Sequence, residues 1–179
     1  MKIILDNDIC IRLLTKQDQK FLLKWLTDKR VLNFWEGENT VFDLNRINVD
    51  FYTEEDGLIR TIIEYKRQPI GYCQMYILDN EAIEEYNYEN KTKNVYGADQ
   101  FIGEPELWGK GIGTDFMRLI ISYLFNKKCA DAIILDPHAD NKRAIRCYEK
   151  VGFKIIKFLP KHELHNGKMV DCFLMEITK

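Results

Sequence analysis

The segment that most constrains this chain is Trp108-Gly109-Lys110-Gly111-Ile112-Gly113-Thr114, which runs straight into the apolar stretch from Asp115 to Phe125. Three glycines at alternate positions open a helical pattern. Glycine accepts a left-handed backbone and lets another group approach closely. The first amides of the helix behind it lack internal partners and point outward. Together they form a seat for phosphate oxygens. The spacing excludes two familiar phosphate loops. A Walker loop needs four residues between its glycines and then Lys-Ser/Thr, and a dinucleotide fingerprint places its last glycine one residue later than Gly113. Only a narrow polar stripe (Asp115, Arg118, Ser122, Asn126) breaks the following helix, so that helix is predicted to be largely buried.

The remaining elements are read from periodicity and punctuation. Ile9, Ile11 and Leu13 alternate with Cys10 and Arg12, a strand pattern. Thr15 with Asp18 three residues later starts a helix carrying Phe21, Leu22, Trp25 and Leu26. A second helix begins at Asp43 with Leu44, Ile47 and Phe51 on one side. Residues 58–65 and 70–78 are strands joined by a hairpin at 66–69. Residues 79–94 read as a long polar loop, and 95–102 as a strand. After the glycine loop and its helix come a buried strand at 132–135, a helix capped by Asp140-Asn141 and ended near Gly152, and strands at 153–158 and 170–177. The order β-α-α-β-β-β-α-β-α-β-β implies an α/β protein. Its central sheet is expected to be mixed, with helices against it. With 179 residues and no internal repeat or linker, residues 1–179 are expected to form one domain.

Charge is unevenly distributed. Residues 36–56 hold seven acids against Arg46 alone, and residues 79–106 hold eight against Lys91 and Lys93, although the whole chain is only at −2. The remainder is basic. Such segregation points to one ligand of each sign, with solvated loops as the plainer reading. No basic patch interleaved with aromatics appears, so nucleic acid is not the expected partner. No apolar run approaches a membrane span. The five cysteines are scattered and odd in number, which fits a reducing cytoplasm. His138, His162 and His165 lack partners at zinc spacing, are read as ordinary loop residues, and no metal is expected.

The stretch Asn141-Lys142-Arg143-Ala144-Ile145-Arg146-Cys147-Tyr148-Glu149-Lys150-Val151-Gly152-Phe153 follows the glycine loop by about 30 residues. The two motifs together resemble the Gcn5-related N-acetyltransferase (GNAT) superfamily in order, spacing and context. That superfamily's loop is Gln/Arg-x-x-Gly-x-Gly/Ala, so Trp108 departs from it at the first position. Further stretches are similar to the aminoglycoside 6'-N-acetyltransferases, including the acetyltransferase half of the bifunctional aminoglycoside-modifying enzyme. They are Asn33 to Glu38, Tyr96 to Pro105, Leu135-Asp136-Pro137, and His162 to His165 with Gly167-Lys168 behind it.

The resemblance implies a GNAT fold, with a mixed, mostly antiparallel central sheet and helices on both faces, and acetyl-coenzyme A as co-substrate. Its contacts would be Gln100, Phe101, Ile102, Trp108, Gly109, Lys110, Gly111, Ile112, Gly113, Thr114, Asn141, Ala144 and Tyr148. It implies Asp99 as general base or ammonium-orienting group, and Tyr148 as the acid at the departing thiolate. The acceptor would be an aminoglycoside, a polycation met by Trp35, Glu36, Glu38, Asp99 and Asp136, with Glu84, Glu85 and Asp171 as further candidates. Acetylation at the 6'-amine, with resistance to kanamycin-class drugs, by direct transfer in a ternary complex is the expected activity. No histidine neighbours Cys147 in sequence to activate it, so no acyl-cysteine is expected. A polyamine or protein N-terminal acetyltransferase, or a non-catalytic acetyl-coenzyme A-binding module, remain as alternatives. A monomer or weak homodimer is expected.

Overall fold

The computed structural model describes residues 2–6, 8–88 and 94–179. The chain divides into two compact units. The first comprises residues up to Gln74 together with Asp99–Ile112. It holds strands β1 (Lys2–Asp6), β2 (Ile9–Leu13) and β3 (Ile59–Tyr65), and helices α1 (Gln19–Trp25), α2 (Lys29–Leu32) and α3 (Leu44–Tyr52). It also takes the first part of β4 (Gln68–Ile77) and the last part of β5 (Val95–Ile102). Its strands follow the order β1-β2-β3-β4-β5. The β2–β3 pair is antiparallel from Ile9↔Tyr65 to Leu13↔Thr61.

The core of this unit is Leu22, Trp25 and Leu26 from the α1 region, Ile47 and Phe51 from α3, and Ile62, Tyr72 and Phe101 from the strands. Their helical and strand spacing matches the sequence pattern. Asp18 is the exception among these apolar residues. Its carboxylate accepts from the Thr15 backbone N–H (2.9 Å) and hydroxyl (2.8 Å), and from both terminal nitrogens of Arg12 at 2.8 and 2.7 Å. A buried carboxylate needs such partners.

The second unit comprises Met75–Ala98 and Gly113–Lys179. It holds the remaining parts of β4 and β5, and α4 (Asn80–Glu85), α5 (Ile112–Lys127), β6 (Ala132–Leu135), α6 (Lys142–Lys150), β7 (Lys154–His165) and β8 (Lys168–Thr178). The strand order is β4-β5-β6-β8-β7. β5 and β6 run parallel, Val95↔Ala132 to Gly97↔Ile134, whereas β6–β8 and β8–β7 are antiparallel. The sheet is therefore mixed, as the element pattern implies, and mostly antiparallel and flanked by helices, as the family resemblance implies. In α5 the expected polar stripe is exposed, while Phe116, Met117, Ile120 and Leu124 are buried. No helix among the described residues is long and apolar enough to cross a membrane.

Four expectations are corrected. β1 precedes the strand read as first, and the one-turn helix α2 has no periodic signal of its own. The expected loop at 79–94 contains α4, capped by Asp79, whose Oδ1 accepts from the Ala82 N–H at 2.8 Å. Its six residues are too few for a 3.6-residue period to register. Residues 89–93 of that stretch lie outside the described residues. Finally, β7 and β8 extend to a tight turn at Asn166-Gly167, both in the left-handed region (φ 51° and 75°), the conformation a two-residue hairpin needs. His162 and His165 therefore stand in a strand, not a loop. The polar run from Pro160 hid the strand from an apolar-alternation reading.

Candidate active site

The glycine loop is built by anchoring one end and freeing the other. After β5, the Trp108 indole N–H donates to the Ile102 carbonyl at 2.8 Å, and its ring meets Phe34 edge-on at 5.9 Å. The side chain thus packs against the first unit's core, which gives the departure from the superfamily pattern a physical reason: Trp108 pins the loop's entrance. Beyond it, Gly109 and Gly111 are left-handed, with φ of +73° and +86°. A Cβ at either would meet nothing within 4 Å, so both face open space. α5 starts at Ile112, and its first-turn amides have no helical acceptor. A bare, left-handed backbone leading into a sixteen-residue helix suits a pyrophosphate.

The second motif sits where its residues are needed for local structure. Asn141 caps α6, its side-chain oxygen accepting from the Ala144 N–H at 3.2 Å. The Thr114 hydroxyl and the Cys147 thiol are 3.6 Å apart. Burial raises the Cys147 thiol above its ordinary value, so little thiolate exists near neutrality. Tyr148, half-buried on α6, packs its ring against Phe153 at 5.9 Å.

Asp99 occupies β5 in the first unit, flanked by Ala98 and Gln100. The Gln74 side-chain amide donates to Asp99 Oδ2 at 2.8 Å, and the Tyr72 hydroxyl donates to Gln74 Oε1 at 2.9 Å. A two-step relay from a buried tyrosine therefore fixes the carboxylate. The Tyr72 hydroxyl is held well above its ordinary range, first by burial and then in part by the Asp99 charge, so it stays a donor. Trp35 packs edge-on against Phe101 (4.9 Å) and Tyr72 (6.1 Å), forming an aromatic wall. The buried indole nitrogen of Trp35 has no hydrogen-bond partner among the described residues.

The acidic candidates fall into distinct settings. Asp136, just beyond β6, accepts from the Tyr86 hydroxyl at 2.9 Å and lies 3.6 Å from His162 Nε2. Burial raises its carboxyl, as does the Glu163 charge, against the lowering effects of Tyr86 and His162. Glu85 Oε1 is 4.0 Å from His162 Nδ1, which puts Glu85 in the same cluster. Glu84 is exposed on α4. Asp171 Oδ1 accepts the Lys161 backbone N–H at 2.8 Å, and Glu36 pairs with Arg46 at 2.8 Å. Glu38 is exposed. Several other residues of the two acidic stretches serve structure: Asp43 and Asp79 cap helices, while Glu104 and Glu106 pair with Lys24 and Arg30.

The profile of the acetyltransferase (GNAT) domain matches residues 15–160. The chain belongs to the GNAT acetyltransferase family. Aminoglycoside N(6')-acetyltransferase type 1 of Klebsiella pneumoniae is 31% identical over 152 residues, covering 83% of this chain and 75% of that protein. The crystal structure of an aminoglycoside acetyltransferase in complex with coenzyme A matches with a TM-score of 0.75 at 27% identity, over 96% of this chain and 95% of the other. Spermidine N-acetyltransferase from Vibrio cholerae, at 19% identity and a TM-score of 0.76, shares the fold over 97% of this chain and 96% of its own. This GNAT acetyltransferase is therefore related in sequence and structure to aminoglycoside N(6')-acetyltransferases.

Sequence reasoning missed Gln74, Tyr72, Tyr86 and His162 as supports of the GNAT acetyltransferase's candidate carboxylates. Tyr72 and Gln74 stand at i and i+2 in β4 and so share one face. That spacing was visible, but nothing in it indicated that the face meets Asp99. The Tyr86–Asp136 contact depends on α4, whose helical turns were not legible.

Proposed function

We propose that this acetyltransferase moves the acetyl group of acetyl-coenzyme A to the 6'-amine of kanamycin-class aminoglycosides. Acetyl-coenzyme A supplies an activated acetyl carbonyl on a thioester. Gly109, Gly111, Gly113 and Thr114 would hold its pyrophosphate through backbone amides, with Trp108 fixing the loop and Asn141 and Ala144 starting the neighbouring helix. The open left-handed glycines and the first-turn amides fit that group.

The observation that carries the reading is the Asp99 carboxylate, held through Gln74 beside an aromatic wall containing Trp35. A protonated amine does not attack a carbonyl. Asp99 orients the ammonium and takes one proton, directly or through water. The nitrogen then forms its bond to the acetyl carbon as the carbon–sulfur bond breaks. Tyr148 gives a proton at the departing sulfur and is reprotonated by the second proton that leaves the acylated nitrogen, while Asp99 releases its proton to solvent; backbone amides in the Gln100–Ile102 stretch meet the developing charge on the carbonyl oxygen. Asp136 receives a second ammonium of the acceptor. Trp35 offers a ring face to a sugar, and Glu36, Glu38, Glu84, Glu85 and Asp171 are further carboxylates for the acceptor's other ammonium groups.

The test is release of free coenzyme thiol with kanamycin, an analogue carrying a hydroxyl at the 6' position, spermidine and a peptide as acceptors. Turnover with kanamycin and none with the 6'-hydroxyl analogue is the expected result. Preference for spermidine or the peptide would replace the acceptor assignment while keeping the donor. No turnover on any amine would favour a binding module.

A further inference from the structure

His138, Glu163 and His165 take no part in the transfer described above, yet the second unit gathers them. Glu163 and His165 are two residues apart in β7, where the register with β8 is regular from Glu163↔Val170 to His165↔Lys168. Their side chains therefore leave the same face of the strand. His138 arrives from the segment after β6, tied to β8 by its bridge to Cys172. Flanking backbone bonds join Phe173 N–H to the Pro137 carbonyl (3.0 Å) and Ala139 N–H to the Asp171 carbonyl (2.8 Å). His138 Nε2 lies 2.9 Å from Glu163 Oε2, and the His138 and His165 rings are 4.6 Å apart, edge to face. One potential donor atom from each of the three residues falls within 4.8 Å of the other two.

We propose that His138, Glu163 and His165 bind one divalent transition-metal ion of the zinc class. Two imidazoles and one carboxylate are a borderline donor set, suited to such ions and ill suited to magnesium or calcium, which prefer oxygen alone. Donors about 2.0–2.2 Å from a tetrahedral centre stand roughly 3.3 Å from one another. The widest separation here thus closes by about 1.5 Å at most, a distance within reach of side-chain rotation. The Asp136 and Asp140 charges act on His138 together with that of Glu163, so the local field favours a cation. Three protein donors leave a position for water, and the half-exposed Glu163 provides the entry. An ion here would clamp the segment after β6 to the β7–β8 hairpin. The sequence hid the set because Glu163-Leu164-His165 is not a zinc spacing and His138 is 25 residues away from Glu163.

The experiment uses the full, tag-free chain stripped with chelator. Zn2+ is titrated in competition with a chromophoric chelator, and Co2+ binding is followed by its visible bands. The expected result is one ion per chain, with affinity weakened at least about tenfold in Glu163→Gln and in His138→Asn. Cys129→Ser, which removes the exposed thiol, leaves binding unchanged, and a large excess of Mg2+ does not displace the ion. Glu163→Gln is nearly isosteric at a half-exposed position, and its circular dichroism should match that of the parent. Parent-like affinity in both ligand variants, loss of binding in Cys129→Ser alone, or no saturable Zn2+ binding by the parent would each overturn the assignment.

Discussion

At the residue scale, the candidate chemistry rests on how firmly one carboxylate is held. The family resemblance points to Asp99, and an acid inside a strand is unusual in itself, but the groups that support it are visible only in the structure. Gln74 donates to it, and Tyr72 fixes which way the Gln74 amide points. Asp99→Asn keeps the shape and removes the proton acceptor, so kcat is expected to fall about 10²–10⁴-fold, the usual contribution of a general base. A raised KM with near-parental kcat would instead make Asp99 a binding group. Gln74→Leu leaves Asp99 in place with looser orientation. The expected loss is in kcat, up to about 10²-fold, the scale of a misplacement near 1 Å. The KM for acetyl-coenzyme A should not change. Parallel losses in kcat and thermal stability would point to a merely structural Gln74.

At the element scale, the parts proposed to position the donor were the most legible. β5 and β6 keep the bounds their apolar runs implied, and α6 has its expected cap in Asn141. Hydrophobic periodicity and capping residues report these elements because they are local signals. What stayed hidden was either too short to repeat, as in α4, or masked by polar residues, as in the far end of β7. Trp108 was legible only as an oddity. Its role as anchor needs the Phe34 ring and the Ile102 carbonyl, both distant along the chain or across a turn. Trp108→Phe keeps an aromatic ring but removes the N–H donated to Ile102. A lost hydrogen bond of about 1 kcal/mol corresponds to a several-fold rise in the KM for acetyl-coenzyme A, with kcat at saturation preserved. Initial rates at varied acetyl-coenzyme A and fixed kanamycin measure this. An unchanged KM would show that the loop keeps its shape without that bond.

At the scale of the whole molecule, the net charge of −2 conceals how the acids are used. Many that looked like an acidic surface cap helices or pair with arginine and lysine, and only some gather around Asp136. One buried structural pair, Arg12–Asp18, also sets an acid limit on the fold. Burial alone would raise the Asp18 carboxyl, but the bonds from Arg12 and Thr15 outweigh it and hold it below its ordinary value. The unfolded chain therefore takes up this proton more readily than the folded one. The pair's contribution is fully present above the ordinary aspartate range near 4 and is lost as pH falls through the lower folded value. Asp18→Asn should accordingly cost up to about 3 kcal/mol at pH 7, the lower end for breaking a buried ion pair. Glu64 still holds the Arg12 guanidinium at 2.7 Å and limits the loss. The stabilities of parent and variant should converge in acid, where the parent's own carboxyl is protonated. Urea unfolding at neutral pH and at successively lower pH measures the difference directly. A gap that stays constant with pH would mean that Asp18 acts through packing and neutral hydrogen bonds rather than through its charge.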